Sequence, residues 1–490
     1  MSDVQTDHQS EDAGASSLLT ELLEEAKLDP TSETTVKGLS SLLTGLLKTE
    51  ETTQRVAKDR VDELIADIDR RLTAQVNAIM HQPKVQKLET AWRGVKYLVD
   101  QVDFRENVRL EFVNATKEDL LDDFRDAPEI THTGLYRTIY KEAYGIFGGK
   151  PYGVICSTHD FGPGAEDVEL LRSCASIASM SHAPFITNTS PDMLGKESFT
   201  EIPQLKDLQS TFENPRYTRW NEFRATEDAR YVGLCMPRFL LRSPYGKRES
   251  ETSVKSFGFS EDVIDEHDRY LWGPASLALT AKIADSFAKH RWCPNIIGPQ
   301  GGGAVFNLPL HQYHQGGELI TKNPCEAAIE ERKEYELAEQ GFITLTPRKD
   351  SNNAAFFSAN SAQRPKVFPR TTEGQAAQTN FMLGTRLPYM FVVTRLSHYL
   401  KVLQREQIGT WKSRSDLDRE LNDWIRQYVS DMPDPPPSVR SRKPLRSAKI
   451  IVEDVPGQVG WYRCKLRVCP HIKYEGASFE LSLVGKLDKE

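Results

Sequence analysis

Residues 151–188 read PYGVICSTHDFGPGAEDVELLRSCASIASMSHAPFITN, and the order of textures in this stretch decides the fold class. PYGVICS (151–157) is a short apolar run of strand character, AEDVELLRSCASIASMS (165–181) repeats its apolar residues at helical spacing, and APFITN (183–188) is apolar again. Strand, helix and strand in that order predict a βαβ unit and hence a mixed or parallel sheet, because parallel neighbours need a long crossover. The turn between them carries Gly162-x-Gly164, as dinucleotide sites do, but the place of the third glycine is taken by Asp167. Glu166 and Asp167 put negative charge where a pyrophosphate would sit; they stabilise the helix start themselves and repel such a ligand. The loop is read as a structural turn.

On either side the texture changes. ARYVGLCMP (229–237) predicts a further strand, and the alternation of VRLEFVNA (108–115) predicts another. Helices are expected at 275–290, 327–340, 387–409 and 415–432, followed by the linker PDPPPS. In the tail, SAKIIVEDV, GWYRCKLRVCP and ASFELSLVGKL read as three strands of an antiparallel meander. Toward the N-terminus, Val56, Leu64, Ile65, Ile68, Leu72, Val76 and Ile79 mark a long amphipathic helix over about 51–80, and Pro83 opens the next one. VKGLSSLLTGLLK (36–48) is leucine-rich at helical spacing, although Gly38 and Gly45 weaken it. In SSLLTELLEEAKLDP (16–30), Leu18, Leu19, Leu22, Leu23 and Ala26 share an arc of roughly 140°, with Glu21, Glu24 and Glu25 outside it.

The expected class is therefore mixed α/β: an N-terminal helical region, a central mixed sheet and a C-terminal antiparallel meander. The expected divisions are a tail at 1–15 with almost nothing to bury, the amphipathic helix at 16–30, and a helical region at 31–107. An α/β core at 108–432, a linker at 433–447 and a β region at 448–490 follow.

A net charge of −8 argues against nonspecific binding to nucleic acid or anionic lipid. No stretch approaches the roughly 20 apolar residues that span a bilayer, and the acidic start MSDVQTDHQSEDAG lacks the apolar centre of a secretory signal. Seven scattered cysteines without a CxxC pair suit reduced thiols in a cytoplasm.

Motifs of chemistry are sparse. GPQGGGAVFNLP (298–309) is rich in glycine, but Ala304 and Val305 stand where a phosphate loop carries Lys and Ser/Thr. A cytosolic enzyme with a phosphate loop at 298–303 stays open as the second reading, against a turn with close backbone packing. There is no HExxH and no GxSxG, and the eleven histidines show no ligand spacing. His182 and His398 stand singly among apolar residues, as core or interface histidines do, and Asp122/Asp123 and Glu330/Glu331 read as solvated faces.

Several longer strings, taken together, resemble the large sheath subunit of bacterial type VI secretion systems, the TssC or VipB family. They are LETAWRGVKYLVD (88–100), EDVELLRSCASIASMSHAPFI (166–186), RFLLRSPYG (238–246), CPNIIGPQGGGAVFNLP (293–309), RKDSNNAAFFSANSAQRPKVF (348–368), LPYMFVVTRLSHYLK (387–401) and the ending LSLVGKL. The resemblance implies a structural protein, not an enzyme, and no cofactor. It implies a heterodimer with a small sheath subunit of the TssB/VipA type, stacked with other copies as a helical tube around an inner tube protein. Baseplate components, and contraction that propels the tube and spike into a target cell, are implied as well. A ClpV-type AAA+ ATPase would take spent sheath apart, grasping the helix that carries Leu18, Leu19, Leu22, Leu23 and Ala26; packing of that helix on the chain's own core is the alternative. Exchanged terminal strands tie subunits together in this family. In the last strand Phe479, Leu481 and Leu483 share one face and Glu480 and Ser482 the other, as suits a strand added to a sheet edge; an ordinary strand inside its own domain is the alternative. The helices at 36–47 and 51–80 are expected to pack on the small subunit, with a place in the chain's own core as the alternative. The basic run RSRKPLR (440–446) is read as a solvated linker.

Overall fold

A computed structural model describes residues 58–264, 266–432, 434–456 and 461–471. The helices expected at 17–28 and 36–47 and the terminal strand at 477–487 lie outside these residues. The chain divides into two units, residues 1–76 with 255–259 and residues 77–254 with 260–490. In the first, Gly258 donates its backbone N–H to Asp69 Oδ2 at 3.2 Å.

Helix α1 (Lys58–Met80) is the long helix read from the sequence. Helix α2 (Pro83–Gln101) begins on its proline, whose missing N–H costs nothing at that position, with the Gln82 side chain capping Lys84 N–H. A short helix α3 (Lys117–Asp126) starts on a reciprocal capping box between Thr116 and Asp119.

The expected βαβ unit is present in the second unit: β1 (Ile155–Phe161), α4 (Ala165–Ser181) and β2 (Phe185–Thr189), with β1 and β2 parallel. Strand β1 starts at Ile155, four residues later than the apolar run suggests, and continues through the mixed sequence STHDF. Strand β3 (Val232–Met236) pairs parallel with β2, and both are buried along their whole length. This is why they read as unbroken apolar runs. With β4 (Ala304–Val305), β5 (Phe342–Pro347) and β6 (Ala354–Phe356), the sheet order is β1-β2-β3-β5-β6-β4, the last three joined antiparallel.

Helix α5 (Ala275–His290) packs on this sheet and on α2. A side chain at Gly94 would bring its Cβ within 2.6 Å of Leu277 Cδ1, so glycine sets the approach of α2 to α5. The start of α5 is pinned by a buried polar knot: Asn188 Oδ1 accepts from Ser276 N–H at 2.8 Å, and Ser276 Oγ donates to the Ser157 carbonyl at 2.9 Å. Helix α6 (Glu331–Glu339) lies against β5.

The C-terminal part has its own core. Helices α7 (Leu387–Glu406) and α8 (Arg414–Arg426) meet the hairpin of β7 (Leu445–Asp454) and β8 (Tyr462–Pro470) around Trp292, Leu396, Leu421, Ile425 and Ile450. Two of the three expected tail strands are thus described. Pro437–Arg442 forms a short helix and β7 starts at Leu445, so part of the interval read as a linker at 433–447 is structured.

One expected strand is not one. VRLEFVNA (108–115) is extended but joins no ladder among the described residues. Alternation sets which side chains face inward; it does not supply a neighbouring strand.

Candidate assembly surfaces

Helix α2 is apolar on two faces. Gly94 and Leu98 are buried against α5, whereas Val85, Leu88, Trp92 and Val99, at spacings of three, four and seven, face outward. Leu88 is 61% and Trp92 70% exposed, an uncommon state for side chains of that size recurring along one stripe. On α1, Leu64, Ile65, Ile68 and Leu72 are likewise exposed. The sequence marked these helices as apolar but could not show that α2 has more apolar faces than its own unit uses.

The outward stripe of α2 stands on a buried ion network. Arg242 forks onto Glu261 (Nη1–Oε2 2.6 Å, Nη2–Oε1 3.0 Å) and reaches Glu89 of α2 through Nε at 2.8 Å. Arg93 Nε donates to the same Glu89 carboxylate at 2.6 Å. Burial would push the Glu89 carboxyl up, but Arg242 and then Arg93 outweigh it and hold it below the ordinary carboxylate range.

The second surface is the margin of the C-terminal hairpin. The outer edge of β7 is occupied: the Asn422 side chain of α8 accepts from Ile450 N–H at 2.9 Å and donates to the Ile450 carbonyl at 2.8 Å, imitating a strand. Among the described residues nothing pairs with the outer edge of β8. Tyr462, Cys464, Leu466 and Val468 turn toward the core, while Arg463, Lys465 and Arg467 are exposed. Lys449 stands opposite Arg467 in the register, and Lys465 pairs with Glu453 at 2.7 Å.

The residues singled out in the sequence, Leu18, Leu19, Leu22, Leu23 and Ala26 of the N-terminal helix and Phe479, Leu481 and Leu483 of the last strand, lie outside the described residues. The two glycine loops are within them. In 298–303 the backbone is spent on itself: Gly298 N–H donates to the Phe356 carbonyl at 2.7 Å, and Gly301 and Gly303 N–H both donate to the Gly298 carbonyl. These three N–H groups are committed within the chain and are not offered to a phosphate. Gly302 has φ +102°, and a Cβ there would lie 2.2 Å from the Asn295 carbonyl oxygen. Gly302→Ala is expected to cost about 2 kcal/mol of stability in urea denaturation, and millimolar ATP to leave the melting temperature of the wild-type chain unchanged. At the other loop, Asp167 accepts the Gly162 N–H at 2.7 Å and pairs with Lys117, so the acid occupies the turn.

His182 and His398, read separately in the sequence, meet with ring centroids 6.2 Å apart beside Tyr144. Among the described residues no group of three His, Cys, Asp or Glu is placed to hold a metal, and no helix is long and apolar enough to cross a membrane.

The chain also matches known proteins over most of its length. Residues 62–363 match the tail sheath N-terminal domain described as EvpB/VC_A0108, and residues 376–487 match the tail sheath gpW/gp25-like domain of the same description. The gap between the two, residues 364–375, falls inside the interval 108–432 expected as the α/β core. The type VI secretion system sheath protein TssC1 of Pseudomonas aeruginosa is 38% identical over 447 residues, 89% of this chain and 88% of that protein. Apart from Trp292, the buried residues of the C-terminal core fall within the second match, and the chain belongs to the VipB family of tail sheath proteins.

Proposed function

We propose that this structural sheath subunit is the large partner of a heterodimer, joined to its small sheath subunit through the outer stripe of α2. The sheath family implies assembly with a small subunit and with further copies of the chain. The observation that supports the α2 stripe as the contact is the exposure of Val85, Leu88, Trp92 and Val99 on a helix whose other face is already packed. Heterodimers then polymerise in the cytoplasm around an inner tube on a baseplate, and contraction drives the tube and spike into a target cell. Energy resides in the extended polymer, so no cofactor takes part. In this reading Phe479, Leu481 and Leu483 tie neighbouring subunits together, and Leu18, Leu19, Leu22, Leu23 and Ala26 form the handle of a ClpV-type ATPase.

Co-expression with the small subunit followed by negative-stain microscopy tests the assembly, and cogwheel-sectioned tubules are the expected product. Trp92→Asp is expected to weaken the heterodimer by about thirtyfold, the effect of losing one large aromatic anchor, with the far-UV spectrum of the chain unchanged. Unaltered co-purification of the Trp92→Asp, Leu88→Asp variant would remove α2 from the contact. Leu19→Asp with Leu23→Asp is expected to abolish ATPase binding while tubules still form; retained binding assigns the handle elsewhere.

A further inference from the structure

The segment Val108–Ala115 alternates as a strand does and joins no ladder among the described residues. Its ends are fixed. Arg291 holds Glu106 through the backbone carbonyl at 2.7 Å and the carboxylate at 2.8 Å, Asn107 turns the chain at φ 60°, and the Thr116–Asp119 capping box anchors the far end. Between these anchors Val108 and Leu110 pack on Leu98, Val102, Leu277 and Ala281, so one face is seated. Tyr152 bonds Glu111, and His159 of β1 meets the Ala115 carbonyl at 3.1 Å. Both links are made by side chains, not by a ladder.

None of the eight residues is proline, yet among the described residues their backbone groups make no backbone hydrogen bond. Among the described residues, the Ala115 carbonyl alone of these groups has a hydrogen-bond partner. Phe112 and Val113 are 59% and 64% exposed, and a groove of about 570 Å³ runs along the segment from Phe104 to Glu111. An extended backbone held open in this way is a template for another strand. Its ordering entropy is already paid by its anchors, so a partner strand gains affinity at little cost.

We propose that Val108–Ala115 pairs with a β-strand of the small sheath subunit, whose apolar side chains cover Phe112 and Val113. This rests on the heterodimer reading above and extends it from a helix face to a backbone ladder. The small subunit is the occupant because exposed apolar side chains run on from the α2 stripe along the chain, Val99, then Phe104, then Phe112 and Val113, so one partner covers both.

Amide hydrogen exchange, followed by peptide, separates the outcomes on three samples of the full-length protein: the chain alone, the isolated heterodimer and assembled tubules. The expected result is fast exchange of 109–114 in the chain alone and slowing by about a hundredfold or more in the heterodimer. Protection already present in the chain alone, protection appearing only in tubules, or none anywhere overturns the proposal. Protection only in tubules would point to a neighbouring copy, and tubules with unprotected amides would sink the ladder while leaving the sheath reading intact. A chain that forms no heterodimer at all fails both. Val113→Pro, at an exposed position that loses its donor, is expected to weaken the heterodimer at least tenfold, while Val113→Thr leaves it within twofold.

Discussion

Replacing Glu261 by alanine is expected to lower the unfolding free energy by about 3–5 kcal/mol, the cost of stranding one member of a buried ion pair. The Arg242 side chain is 8% exposed and that of Glu261 1%. The Glu261 carboxylate also accepts the Tyr245 N–H at 2.9 Å and meets His81 Nε2 at 3.2 Å, so its removal strands several donors together. Among the described residues Glu89 is then the one carboxylate left to Arg242, and Arg93 already shares it. Because Glu89 sits on α2, the loss should reach the outer stripe as well, and binding of the small subunit should fall with stability. The double variant Arg242→Met, Glu261→Leu removes both charges and is expected to recover much of the loss, since well-packed apolar pairs replace buried ions at little cost. Urea midpoints of the three proteins measure this. An alanine variant within 1 kcal/mol of wild type would show that water replaces the carboxylate.

How far this was legible in the sequence depends on where the physics lies. Strands β2 and β3 were readable because strands covered on both faces need apolar residues at every position. The hairpin His311–Gln315 with Glu318–Lys322 is not among the expected strands, although Gly316 and Gly317 at φ 63° and 90° form the two-residue glycine turn that hairpins prefer. No apolar period could announce the π-helix Arg137–Gly145, whose turn is wider than the α-helical spacing by which helices are read. Leu88 and Trp92 look like core in any one-dimensional reading, because hydrophobicity alone does not say whether the covering surface belongs to the same chain. The same ambiguity made VRLEFVNA a strand before its partner was known to be absent among the described residues. Assembly surfaces are written in the same alphabet as cores, and only the structure separates them.

Acidification should act through His398, and the expected effect is a loss of about 3 kcal/mol as the pH falls from about 6.5 to about 4. The ring is 2% exposed, its Nε2 lies 2.8 Å from the Ser181 carbonyl, and its Nδ1 has no partner among the described residues. Burial is the main reason its pKa is pushed down to about 4; the Ser181 carbonyl opposes this, while His182, Arg395 and Lys401 reinforce it. The Lys401 ammonium, 3.7 Å from the Tyr144 ring centroid and 2.8 Å from the Tyr140 hydroxyl, already fills the cation-accepting positions of the cluster. The folded state therefore binds fewer protons than the unfolded chain between these pH values. Its stability is complete above about 6.5, drains as the pH falls through about 4, and changes no further through this residue below that. Carboxylates such as Glu89, held low by their arginines, lose stability further toward acid, so the histidine's share must be separated from theirs. His398→Gln keeps a donor for the Ser181 carbonyl and cannot charge. Its urea midpoint at pH 7 is expected to lie close to wild type, and at pH 4.5 clearly above it. Since His398 belongs to α7 and Ser181 ends α4, the charge would fall where the C-terminal helix meets the βαβ unit. Parallel pH profiles for the two proteins would clear the histidine and leave the carboxylates to account for acid sensitivity.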